Sequence, residues 1–311
     1  GAAHRRPASG YQLTETRHAE IMSLVSFLTI LLDGLAFGMI LFIISVGLTI
    51  TMGLMRVINL AHGAFAMVGG YVVAILTGDG MNLWLAILIG CTAAGLLGGL
   101  AEMTILRPLY RKGEMAQVLL TFGLAFVSIS ALTEIFGPNP IPVVFPDYMT
   151  GQLDIGFRTY PAYRLFLIGV GLVMALCLWY LIDKTLYGAR LRAAVDNPNM
   201  ARAVGMNVSF LFTITFVGGS ALAGLGGAIG AGILPLEPFY SLKYVVLFLI
   251  VVIVGGEGSF KGSFAAAIAV GLVDTAGKFL IPDVAPYLIY IVVFLLLLWR
   301  PNGLLPPKSV A

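Results

Sequence analysis

The stretch Arg56-Val57-Ile58-Asn59-Leu60-Ala61-His62-Gly63-Ala64 is a short polar break between two long apolar runs. His62 is the only histidine beyond the first twenty residues, and Asn59 stands one helical turn before it. Hydrocarbon tolerates irregular, polar backbone only where protein buries it or where it lines a cavity. A polar hinge joining two membrane segments is therefore a candidate piece of a translocation path, with Asn59, Ala61, His62 and Gly63 as its residues. The plainer reading makes Asn59 an N-cap that bonds the amide of Ala61 or His62 at the start of the second segment.

Working outward, 59% of the 311 residues are hydrophobic and 11% charged, with a mean hydropathy of +0.98. Soluble domains carry about a quarter charged residues, so most of this chain is solvated by lipid. The expected fold is all-α, a polytopic helical membrane protein. The 38 glycines fit, because small residues let membrane helices approach closely. Cys91 and Cys177 both fall in apolar runs, which offers neither a disulfide framework nor metal-ligand spacing. A net charge of +3 without a basic cluster gives no nucleic-acid role. With no H-E-x-x-H, no paired histidines and no nucleophile motif, a membrane-embedded enzyme is the weakest class, and no catalytic or metal-binding residues are assigned.

A bilayer span needs roughly twenty apolar residues. Spans are expected near 24–53, 61–77, 83–106, 115–136, 163–182, 208–231, 244–255, 262–280 and 285–299. The first is too long for one straight helix and contains Asp33-Gly34, which suits an interfacial segment followed by a span. The seventh is too short to cross untilted and reads as a half-helix or part of a bent one, so eight or nine crossings are expected.

Arg56, Arg107, Arg111, Lys112, Lys184, Arg190, Arg192, Arg202, Lys261, Arg300 and Lys308 all fall in one alternating set of loops. The opposite loops (77–82, 136–162, 234–243 and 281–284) hold only Arg158 and Lys243 as basic residues, against Asp79, Asp147, Asp154, Glu237 and Asp283. The positive-inside rule makes the first set cytoplasmic. Residues 1–21 carry His4, Arg5, Arg6, Arg17 and His18 with little hydrophobicity. They are expected to be an upstream extension, disordered or foreign to the mature chain, leaving 22–311 as a single transmembrane domain.

The largest cytoplasmic segment is Asp183 to Met206. Gly188 to Val195 can form a short helix with Leu191 and Val195 on one face. Asn197 is then a good N-cap, Pro198 an allowed first helical residue and Gly205 a good terminator. A two-turn helix over Pro198 to Val204 follows, with Met200, Ala201 and Val204 as its apolar side. Such a compact, rigid knob suits a cleft on another protein; the plainer reading is a solvated connector.

Four stretches together resemble one family. V-I-N-L-A-H-G-A-F-A-M-V-G-G-Y, beginning at Val57, looks like the first inter-helix motif of the branched-chain amino acid ABC transporter permeases of the LivH-type branch. G-A-R-L-R-A-A-V-D-N-P-N-M-A-R-A-V-G-M-N-V, from Gly188, is similar to the segment that couples such permeases to their ATPases. V-I-V-G-G-E-G-S-F-K-G-S-F resembles the family's glycine-rich turn, and R-P-N-G-L-L its terminal signature. The resemblance implies that Gly188, Leu191, Arg192, Ala193, Ala201, Val204 and Gly205 form the ATPase contact, with Asn197 and Pro198 at the cap. Pro198 departs from the charged residue often found there. It further implies a permease domain over 22–311 in a bacterial inner membrane. Its partners would be two cytoplasmic ATPase subunits, a second related permease subunit and a periplasmic substrate-binding protein. The implied cargo is branched-chain amino acids or a related small polar solute.

The run Gly255 to Ser263 superficially resembles a phosphate loop. A P-loop needs Gly-Lys-Ser/Thr in that order after a strand, whereas here lysine precedes glycine and an apolar run precedes both. No nucleotide or cofactor site is therefore assigned, and ATP hydrolysis must come from a partner. Glu257 is expected to pair with Lys261, four residues on.

Ionisable groups inside spans are functional candidates. Asp274 and Lys278, four apart, are expected to neutralise each other as an intramembrane ion pair, and Glu102 to pair with Arg107. Glu134, near the outer end of its span, is placed to attract an amino acid's ammonium or a docking protein, or equally to cap its helix. Gly34/Gly38, Gly95/Gly99 and Gly226/Gly230 are GxxxG pairs that favour tight packing. The alternative to an ATP-driven importer is an ion-coupled secondary transporter or channel. The absence of a clear inverted repeat counts against it.

Overall fold

A computed structural model of the chain describes residues 9–55, 59–109, 112–156 and 158–305, with side chains from residue 24 onward except at 54, 55 and 114. Arg56, Val57 and Ile58 of the hinge, Arg111 and Lys308 lie outside the described residues, as do residues 1–8. The chain runs through α1 (Ser9–Met55), α2 (His62–Gly78), α3 (Leu83–Ala101), α4 (Glu114–Phe136) and the short α5 (Asp147–Thr150). An antiparallel hairpin, β1 (Gln152–Asp154) and β2 (Thr159–Pro161), sets Leu153 opposite Tyr160. Then follow α6 (Ala162–Lys184), α7 (Leu186–Asp196), α8 (Pro198–Ala203), α9 (Val208–Gly230), α10 (Tyr240–Gly255), α11 (Phe260–Leu280) and α12 (Ala285–Trp299).

Nine of these helices are the expected apolar elements. Six have stretches long and apolar enough to cross a membrane, while His62–Gly78, Tyr240–Gly255 and Ala285–Trp299 are shorter. α1 begins at Ser9, so the helix reaches back into the segment set apart as an extension. α1 is also continuous through Asp33-Gly34, where a break was expected. The reason lies in tertiary partners. The Tyr160 hydroxyl donates to Asp33 Oδ1 at 2.6 Å, and Arg164 of α6 pairs with the same carboxylate. Gly34 faces α11 so closely that a Cβ there would stand 2.9 Å from Leu272 Cα.

α1 occupies the middle of the bundle, packed on α9 and α11, with α2 and α3 against α9. Glycine permits these approaches: a Cβ at Gly38 would meet the Ala267 carbonyl at 2.8 Å, and one at Gly230 would meet Ile40 Cγ2 at 2.8 Å. The GxxxG pairs thus work inside this subunit. α4 and α6 are peripheral and present apolar side chains outward, among them Leu119, Phe126, Leu172 and Leu176.

One stretch departs from the sequence reading. Residues 234–243 were expected as an outer loop, yet Leu234, Leu236, Tyr240 and Ser241 are buried. α9 ends at Gly230, and the non-helical stretch after it turns back into the bundle. The Ile141 amide, from the segment following α4, donates to the Leu236 carbonyl at 2.9 Å. α10 then starts where Ser241 meets Gly63 in the first turn of α2. Since α2 ends at Gly78 and leads into an outer loop, Gly63 lies about 22 Å inward along the helix. Residues 231–239 are thus a re-entrant segment, allowed at that depth because protein buries the backbone.

Candidate functional site

The hinge is held by one internal bond and by bonds to two neighbouring helices. The Ala61 amide donates to Asn59 Oδ1 at 3.1 Å, the capping bond anticipated for Asn59. His62 Nε2–H donates to the Ile44 carbonyl of α1 at 2.9 Å; a carbonyl only accepts, so the proton is on Nε2. The Leu60 amide donates to Thr121 Oγ1 of α4 at 3.2 Å. Asn59, Ala61, His62 and Gly63 are all buried, so they form a junction rather than an open lining. Around the junction and α10, several buried polar atoms have no hydrogen-bond partner among the described residues: Asn59 Nδ2, Gln117 Oε1, Tyr240 OH and Ser241 Oγ. Each such group costs about 1–3 kcal/mol when left unmade. A region that keeps several is suited to meeting a polar guest.

Beside it lies an ion pair that no sequence signal located. Lys243, in the first turn of α10, bonds Glu237 of the re-entrant segment, and its ammonium lies 5.4 Å from the centre of the Tyr244 ring. Both residues counted as outer-loop charges from sequence. The shortness of the seventh apolar run was the sole hint of a half-helix here. Glu134 is exposed on the last turns of α4, apart from this junction.

Asp274 and Lys278 do pair, Nζ to Oδ2 at 2.6 Å, with Asp274 buried and Lys278 exposed. They share a cavity wall with Asp33 and Arg164. Burial, then the bond to Asp33, drives the Tyr160 phenol well above its ordinary pKa, so it stays a protonated donor.

At the cytoplasmic end, Glu102 is fully buried within a π-helical turn (Glu102–Leu106). Arg107 Nη2 contacts its Oε2 at 2.8 Å, and Thr213 Oγ1 donates to the same oxygen at 2.9 Å. The expected Glu257–Lys261 pair is not formed; Lys261 bonds Asp183 at 3.2 Å, tying α11 to the end of α6. The glycine-rich turn receives the terminal signature directly, since the Leu304 amide donates to the Val254 carbonyl at 2.7 Å. Gly303, at φ 83°, comes so near that a Cβ would lie 2.6 Å from Gly256 N.

α7 and α8 form the expected knob. Asn197 Oδ1 accepts the Met200 amide at 3.0 Å, Pro198 opens α8, and Gly205 follows it at φ 86°. The knob is braced on the bundle: Arg192 Nη1 donates to the Ile182 carbonyl at 2.6 Å, and the Tyr187 and Thr215 hydroxyls stand 2.8 Å apart. Gly188, Leu191 and Ala201 were grouped with the partner-facing surface, but they are buried, Ala201 against Ala194 and Val208. They hold the knob together. Ala193, Met200, Val204 and Gly205 are exposed and make up its outward face with Asn197.

A bundle of apolar helices that turns a non-helical segment back into its own interior and anchors a stiff knob among basic loops is of the class of multi-pass membrane permeases. The chain belongs to the family described as the branched-chain amino acid transport system permease component, which it matches over residues 30–299. It is 22% identical over 298 residues to the high-affinity branched-chain amino acid transport system permease protein BraD of Pseudomonas aeruginosa, covering 91% of this chain and 97% of that one. LivH of Escherichia coli K12, of the same description, is 24% identical over 302 residues, again covering 91% and 97%. LivM of the same organism is 28% identical over 297 residues, covering 86% of this chain and 68% of LivM. Membership brings ATPase and substrate-binding partner proteins in general terms.

Proposed function

We propose that the chain is the permease subunit of an ATP-binding-cassette importer in a bacterial inner membrane, carrying branched-chain amino acids or a related small polar solute. It acts with a second related permease, two cytoplasmic ATPases and a periplasmic binding protein, and the ATPases perform the hydrolysis. The observation that carries this reading is the knob over Leu186–Ala203: two capped helices outside the apolar bundle, with an exposed face and a buried base. A short, stiff helix pair can transmit a displacement to α6 and α9, to which Arg192 and Tyr187 attach it. Similarity to both LivH and LivM of one organism supports pairing with a related subunit.

Within the pair, the ATPases grip the knob through Ala193, Asn197, Met200, Val204 and Gly205. The junction of Asn59, Ala61, His62 and Gly63 with Ser241 is the point at which the path closes. The acidic outer loops suit a binding protein with basic docking residues. The test is mild-detergent purification followed by mass spectrometry, with ATP-driven leucine uptake by the reconstituted assembly. Recovery of two ATPases and a second permease, with uptake that stops without ATP, is the expected result. Uptake by this chain alone, driven by a proton or sodium gradient, would establish a secondary transporter instead.

A further inference from the structure

Between the outer ends of α1, α6 and α11 and the start of α10 lies a cavity of about 300 Å³, within the range of small-molecule sites. Two ion pairs stand on its wall. Asp33 of α1 pairs with Arg164 of α6, and Asp274 pairs with Lys278, both of α11. Phe37, Leu234 and Leu247 supply an apolar floor, and Lys278 Nζ lies 5.4 Å from the centre of the Phe37 ring. Ile233 and Leu234 belong to the re-entrant segment, so that segment forms part of the cavity wall.

We propose that this cavity is an entry station for a zwitterionic amino acid with an aliphatic side chain. The proposal rests on the import reading given above and adds to it a site and a basis for selectivity. Four charges that sum to zero present both signs to one small space. A lone anion or a lone cation entering it meets a like charge as well as an opposite one. A zwitterion does not have that problem: its carboxylate takes the place of Asp33 at Arg164 or of Asp274 at Lys278, and its ammonium takes up the carboxylate released. The exchange leaves every charge paired, which matters where desolvated charges are costly. The side chain then rests on Phe37, Leu234 and Leu247. On one side the Lys278 side chain is 66% exposed, which leaves it room to turn toward the guest. On the other side Tyr160 keeps a hydrogen bond on Asp33 while Arg164 turns to the guest. Charges on α1, α6 and α11 that look like simple helix cement thereby become a recognition surface.

The test uses the assembled importer in nanodiscs, without its binding protein, and radiolabelled leucine. Saturable binding is expected. 4-Methylpentanoate, which keeps only the anion, and 3-methylbutylamine, which keeps only the cation, should compete at least tenfold more weakly than unlabelled leucine. Lys278→Gln, which removes the charge but keeps a hydrogen-bond donor for buried Asp274, and Arg164→Gln should each weaken binding at least tenfold, with Arg164→Lys recovering part of the loss. Uptake is measured in parallel with the binding protein present. Wild-type uptake of leucine together with binding that both variants leave unchanged, or with no saturable binding, overturns the station and leaves the import reading standing. Competition by phosphoethanolamine equal to that by leucine overturns it in favour of a lipid headgroup. An assembly that imports no amino acid removes the station, and one with no ATP-driven uptake of any small polar solute removes the import reading with it.

Discussion

Ser241, in the first turn of α10, lies against Gly63, in the first turn of α2, so that two part-length helices meet end to end inside the bundle. Both are shorter than the roughly twenty apolar residues of a typical span, at 17 and 16 residues. Their meeting point is also where the re-entrant segment ends and where the buried hydroxyls of Tyr240 and Ser241 find no partner among the described residues. Helix starts carry unmade N–H groups and partial positive charge. A contact of this kind can close a path tightly and still present donors to a polar guest when it parts.

That contact has no room for a side chain. A Cβ at Gly63 would stand 2.8 Å from Ser241 Cα, a backbone atom that cannot step aside. Gly63→Val should therefore cost about 1–3 kcal/mol through overpacking and force α2 away from α10. The expected outcome is a lower melting temperature in detergent and at least a fivefold loss of uptake. Gly123→Ala is the control, on peripheral α4 where a Cβ would meet nothing within 4 Å. Equal behaviour of the two variants would show that the junction has slack.

The knob yields a prediction that separates docking from folding. Val204 is 68% exposed at the end of α8, so Val204→Asp disturbs no core. It should leave membrane insertion and melting temperature unchanged while reducing ATP-driven uptake at least tenfold and releasing the ATPases during purification. Ala201→Asp, in contrast, buries a carboxylate against Ala194 and Val208 and should fail at folding. If Val204→Asp keeps its ATPases and full uptake, the partner grips another face.

The helical framework was legible because apolar run length and loop charge are local signals, and all nine runs became helices. The knob was equally legible, since Asn197, Pro198 and Gly205 each state a backbone preference that neighbours do not override. What sequence missed was set by distant partners. Asp33 reads as a helix interruption until Tyr160 and Arg164 arrive from more than a hundred residues away. Lys243 and Glu237 read as loop charges because nothing local reveals that the loop folds inward. Ala201 was grouped with the docking face because its burial depends on Ala194 of α7 and Val208 of α9, not on its own helix.

Glu102 offers a stability test at the cytoplasmic end. It is completely buried, with its charge met by Arg107 and Thr213. Truncating Glu102 leaves a void and an unmade bond at Thr213, at a cost of about 1–3 kcal/mol, while Arg107, 38% exposed, can turn to water. Glu102→Ala should therefore lower the melting temperature. Glu102→Gln with Arg107→Met should recover much of the loss. A Glu102→Ala variant as stable as the wild type would mean that water reaches the site freely.

The last prediction concerns Lys243, whose side chain is 52% exposed although it starts inside the bundle. A half-exposed ammonium within the apolar thickness needs water, a guest or a neighbouring subunit, because lipid does not accommodate it without cost. Lys243→Met leaves Glu237 without its ion-pair partner and should lower both the folded amount and uptake. Lys243→Met with Glu237→Gln removes both charges and should restore the folded amount. Uptake by that double variant then decides the role of the pair. Recovery to wild-type rates makes it a structural clamp for the re-entrant segment. Uptake that stays at least fivefold reduced in a well-folded protein, the expected result, places the pair on the route of the solute.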